Sequence, residues 1–124
     1  MANYLNDDVL DDGLQVLVDD TENLYITSSV ATTYAEALTA YNLGVKATPA
    51  FTGPADAAGG GRKVTIDAIA DGTVSATGTA AYWALTDNSA TKLLAAGPLD
   101  AGVAVVAGGT FTLTAIAITI PDVV

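Results

Sequence analysis

Neither cysteine nor histidine occurs in this 124-residue chain. Without cysteine there are no disulfides and no thiol chemistry. Without histidine the commonest general base and the commonest transition-metal ligand go together. Ser–His–Asp and Cys–His catalysis are excluded outright. Basic residues are also scarce: 4, against 14 acidic ones, for a net charge of −10. That disfavours direct contact with DNA or RNA, which needs a cationic surface to displace counterions, and it disfavours adsorption to anionic membranes. Aromatic residues are only 6%. No apolar run approaches bilayer length, and the opening Met1-Ala2-Asn3-Tyr4 has no basic segment of the kind that starts a signal peptide. The expectation is a soluble protein made in a cytoplasm, with no nucleic-acid or membrane partner.

What is present is small, apolar and β-forming. Hydrophobic residues reach 51%, much of it alanine and valine. The length suits one domain, which at this size hides roughly two thirds of its unfolded surface. Ala80–Leu99 reads as the organising stretch: a strand Ala81–Thr86, a turn at Asp87-Asn88-Ser89, and a return strand Thr91–Ala96 ending at Gly97-Pro98. Trp83 and Leu85 share a face by strand alternation, and that face is expected at the centre of the core.

Half of the carboxylates fall in residues 1–22. Residues 1–12 read as an acidic N-terminal arm, and 13–124 as a single β-rich domain. Leu14–Val18 looks like a strand, Asp19–Glu22 a hairpin loop and Asn23–Thr27 the next strand. Thr33 and Glu36 form a capping box. Tyr34, Ala37, Leu38 and Tyr41 follow at helical spacing, so one short α-helix is expected at about 33–43, ending at Gly44. Phe51 is expected to anchor a connection running over Val45–Gly61. From Arg62 the period becomes two, and the last strand is read as Thr110–Ile120, with Ile116, Ile118 and Ile120 covered and Thr110, Thr112 and Thr114 solvated. Strands of this kind with Gly, Asp and Asn turns predict a mainly β fold: an antiparallel β-sandwich, Ig-like or jelly-roll-like, or a small barrel.

Candidate chemistry is thin. The aspartate pairs Asp7-Asp8, Asp11-Asp12 and Asp19-Asp20 lack EF-hand spacing and read as a solvated surface. Gly59-Gly60-Gly61-Arg62-Lys63 does not match a phosphate-binding loop, because a strand follows it where a helix start is needed. A carboxylate-pair glycosidase would need a raised acid, and these acids sit in turns and the arm, where water keeps them ionised. Tyr4, Tyr25, Tyr34, Tyr41, Tyr82 and Trp83 could stack on sugars, but core and helix-stripe roles account for most of them. No catalytic, metal or cofactor residues are assigned, and no enzyme activity is expected.

From Tyr25 to Pro121 the chain resembles small virion proteins of tailed bacteriophages. The likeness is carried by Ile26–Ala37, Phe51–Asp56, Gly61–Thr65, Ala76–Ala80, Trp83–Leu85, Leu93–Leu99 and Thr110–Pro121. It implies a head decoration or cement protein on the capsid exterior, assembled in the host cytoplasm. The implied partners are the major capsid protein and further copies of this chain, preferably as a trimer. The contact residues expected on that reading are Tyr4, Leu5, Val9 and Leu10 of the arm and Ile116, Ile118 and Ile120 of the last strand. The alternative is a head-fibre or tail-fibre module that binds host-surface glycans through Tyr and Trp rings.

Overall fold

A computed structural model describes residues 7–57 and 60–120, with the backbone alone for 7–11, 100 and 101. The fold is mainly β, in two antiparallel sheets that do not close into a barrel. The strands are β1 (Asn23–Thr27), β2 (Asn42–Ala47), β3 (Phe51–Asp56), β4 (Arg62–Ile66), β5 (Ile69–Val74), β6 (Gly78–Asp87), β7 (Lys92–Val105), β8 (Thr110–Leu113) and β9 (Ile116–Ile120). Six form one sheet in the order β7-β6-β1-β2-β5-β8, and the other three form a smaller sheet in the order β3-β4-β9.

The main core lies between the sheets. Leu24 and Ile26 of β1, Leu43 of β2, Trp83 and Leu85 of β6 and Phe111 of β8 meet Ile66 of β4, with Phe51, Ile116 and Ile118 packed alongside. The expected placement of Trp83 and Leu85 on one core face holds, and Phe51 packs on the core, but from a strand, β3, paired with β4, where a connection was expected over Val45–Gly61. On the far side of the larger sheet, Tyr25 and Ala84 pack under Ala31 and Ala37, with Leu38 against them. The segment between β1 and β2 thus covers part of that face.

Three local expectations are corrected. Leu14–Val18 is not a strand but part of a helix, α1 (Asp7–Asp20). Leu14 and Leu17 recur at helical spacing: Leu14 is buried, and Leu17 packs on the core. Val16, which a strand would have buried with Leu14, is 45% exposed. The expected arm–domain boundary at residue 12 therefore falls inside a continuous helix. Second, Pro98 does not end its strand. β7 is an edge strand, paired with β6 alone, so a missing amide is tolerated and the ladder resumes after a register shift. Third, the last strand is two. After Leu113 the chain leaves the six-stranded sheet, and from Ile116 it pairs with β4 in the smaller one.

The expected helix near 33–43 is present but short. Thr33 Oγ1 accepts the Glu36 amide, and the Glu36 carboxylate turns back to the Thr32 amide and hydroxyl. The segment then closes as a single wide turn, Glu36–Ala40, in which the Tyr41 amide donates to the Glu36 carbonyl. β2 begins immediately at Asn42, because Asn42–Ala47 is claimed by ladders with β1 and β5.

Candidate functional site

The six-stranded sheet has two outer edges, β7 and β8, each paired on one side only among the described residues. Between them lies a groove of about 630 Å³. β7 supplies Pro98, Leu99 and Val103 to one wall, and Thr112–Ala117, the chain crossing from β8 to β9, forms the other. Trp83 lines it from β6. Gly97 makes that placement possible: it pairs with Trp83 across the strands, and a Cβ there would lie 2.8 Å from indole Cζ2. Among the described side chains none that lines the groove is ionisable. Val103 is 43% exposed on its wall, an apolar side chain left to solvent.

Charge chemistry lies elsewhere. Glu22, just after α1, accepts the Ser89 amide at 2.5 Å and ties that loop to the β6–β7 turn. The Ser89 amide is the largest influence holding the Glu22 carboxyl below its ordinary value. Hydrogen bonds from the Thr32 amide and hydroxyl lower Glu36 in the same way. Lys46, 2.9 Å away, lowers Asp71 by hydrogen bond and charge. These shifts favour the ionised form, the reverse of what a general acid needs. Desolvation, and then the charge of neighbouring groups, raises Tyr34. Among the described residues no group of three or more His, Cys, Asp or Glu could hold a metal ion.

Of the residues expected to make contacts, only Ile116, Ile118 and Ile120 have described side chains. Tyr4 and Leu5 lie outside the described residues. Val9 and Leu10 fall in the first turns of α1, where the backbone alone is described. Ile116 and Ile118 pack against the core, and Ile120 lies beside Gly13 of α1; each keeps partial exposure. Of these, Ile116 also lines the groove. Among the described residues the aromatic rings do not form a platform. Tyr82 and Trp83 are consecutive on β6 and point to opposite faces. Trp83 and Tyr25 are 7% and 6% exposed.

Sequence reasoning missed the groove residues Leu99, Val103 and Thr112–Ala115. A signal was present: from Ala101 to Ile120 the chain carries no charge at all, an unusual run in so acidic a protein. Comparison with family models, curated proteins and solved structures finds no match to this chain.

Proposed function

We propose that this is a structural assembly protein: a decoration or cement protein of a tailed-bacteriophage capsid, bound to the major capsid protein and to copies of itself as a trimer on the capsid exterior. The observation that carries the assembly reading is a groove, apolar in its described lining and bounded by two sheet edges that no described strand pairs, on a molecule of net charge −10. Unpaired edges and exposed apolar side chains are what a β protein hides when it works alone. The lack of histidine and cysteine, and the lowered carboxyls, agree with a role in binding rather than turnover. The virion setting comes from the sequence resemblance.

The test is to purify particles and identify their proteins by mass spectrometry, then to add the isolated protein to capsids stripped of it. Stoichiometric recovery on the particle and saturable rebinding are expected. A chain absent from particles, or one that does not rebind, overturns the reading.

A further inference from the structure

We propose that residues 29–40 form a strap that lifts off the larger sheet as a unit while both sheets stay folded. The strap joins β1 to β2 and lies over the far side of the larger sheet, where Ala31 and Ala37 cover Tyr25 and Ala84. Beneath it two polar atoms are buried with no hydrogen-bond partner among the described residues, Thr27 Oγ1 and Asn42 Oδ1. Their position follows from the ladder. Tyr25 points into the strap, and Thr27, two residues further along β1, points the same way. Thr27 and Asn42 are register partners across β1 and β2. Asn42 Nδ2 donates to the Leu38 carbonyl at 3.0 Å, so this side chain lies directly under the wide turn Glu36–Ala40. The closed strap therefore keeps both unpaired oxygens from solvent, and Thr27 is fully buried there.

Little holds the strap down. Alanines make much of its contact with the sheet, Leu38 is only partly buried, and Val30 is 46% exposed. Among the described residues its hydrogen bonds run within itself: the Thr32 amide and hydroxyl to Glu36, the Glu36 and Ala37 amides to Thr33, the Thr39 hydroxyl to Ala35 and the Tyr41 amide to Glu36. The Ser28 amide and the Tyr41 carbonyl close its neck at 3.0 Å. The Asn42–Leu38 bond is the one further tie to a strand among those residues. Against these stand the two buried oxygens, each of which shifts the equilibrium toward the hydrated, open form by about five-fold or more. Once off the sheet a single turn has too few hydrogen bonds for the residues it fixes, so the strap unravels as it lifts. The strands stay, because β1 is paired on both sides and Leu24 and Ile26 anchor it in the main core. Lifting bares Tyr25, Thr27 and Ala84, a strip across β1 and β6 that the closed molecule hides.

Residue-resolved hydrogen exchange on the full chain, over urea concentrations below the global transition, tests this. The Ala37 and Tyr41 amides are expected to exchange together, through an opening with a shallow urea slope. Relative to unstructured rates they exchange at least about a hundredfold faster than the ladder amides of β1 and β6. Thr27→Val removes one unpaired oxygen at nearly constant shape, and it slows exchange at Ala37 and Tyr41 about five-fold. The proposal is overturned if Ala37 and Tyr41 share the protection and urea slope of β1 and β6, since the strap then leaves only with the whole fold. Different urea slopes at Ala37 and Tyr41 also overturn it, since the segment then does not open as a unit. So does a Thr27→Val chain whose strap exchanges as fast as before or faster, since the hydroxyl is then satisfied in the closed form. The first two outcomes are read on the unmutated chain, so they hold even where the variant folds poorly. No capsid and no second copy enters the measurement, so the strap and the assembly reading fail separately.

Discussion

Gly97 shows how much depends on one missing side chain. With no Cβ it lets the Trp83 indole lie against β7, and an alanine there would press on Cζ2 from 2.8 Å. Gly97→Ala is expected to cost about 1–3 kcal/mol through overpacking, read as a lower urea midpoint at unchanged slope. Gly13 is the opposite case. It sits within α1, and a Cβ there meets only Ile120 Cδ1 at an ordinary 3.7 Å. Gly13→Ala should raise stability by about 0.5–1 kcal/mol, because it removes unfolded-state freedom in a helix interior. Thr27 is fully buried, and its hydroxyl has no partner among the described residues. Thr27→Val is expected to stabilise by about 1 kcal/mol, and a thermal melt that does not rise would show the hydroxyl to be satisfied. Alternation along one strand made the shared face of Trp83 and Leu85 legible in the sequence. The indole's rest on Gly97 was not, because it joins residues fourteen apart across a ladder whose register is set only on folding.

At the scale of elements, the sequence marked the β6–β7 pair well but missed β3 inside the expected Val45–Gly61 connection and misread α1. The β6–β7 pair could be read from its turn residues, which fasten themselves locally: the Ala90 amide donates to Asp87, and the Thr86 hydroxyl to Asn88. Leu14–Val18 misled because leucine and valine alternate there as in a strand, and the helical spacing shows only when Leu14 and Leu17 are set together against the smaller sheet. Thr110–Ile120 misled in the other direction. Its alternation runs unbroken through Thr114-Ala115, where the backbone changes sheets, and nothing in residue type marks that step. Half of the capping box forms as read, with Thr33 Oγ1 accepting the Glu36 amide, while the Glu36 carboxylate turns to Thr32; β2 begins at Asn42 and leaves the helix room for one turn. That turn leans on the Glu36 carboxylate, so Glu36→Gln should loosen it. Hydrogen exchange is expected to speed up at the Thr32 and Tyr41 amides, with β6 and β7 unchanged.

For the whole molecule, charge sets the response to solution conditions. Glu22, Glu36 and Asp71 have folded-state pKa values below their ordinary 4.5, 4.5 and 3.8. A lowered carboxyl binds protons more readily when unfolded, so its contribution is complete above those ordinary values and is lost as pH falls through and below them. The melting temperature should be flat near neutrality and decline from about pH 4.5 downward; a decline that begins well above pH 5 would point to other groups. The surplus of negative charge also works against compaction. Adding salt near pH 7 should therefore raise the melting temperature even though it weakens the exposed Lys46–Asp71 pair. The step from β8 to β9 at Thr114-Ala115 carries a mechanical consequence. A load applied at Ile120 peels β9 from β4 one rung at a time, at low force, and reaches the larger sheet only once the slack at that step is taken up. The crossing works as a strain relief, so a tug from that end frays the small sheet, and strips Ile116 and Ala117 from the groove wall, before the larger sheet and its tryptophan are disturbed.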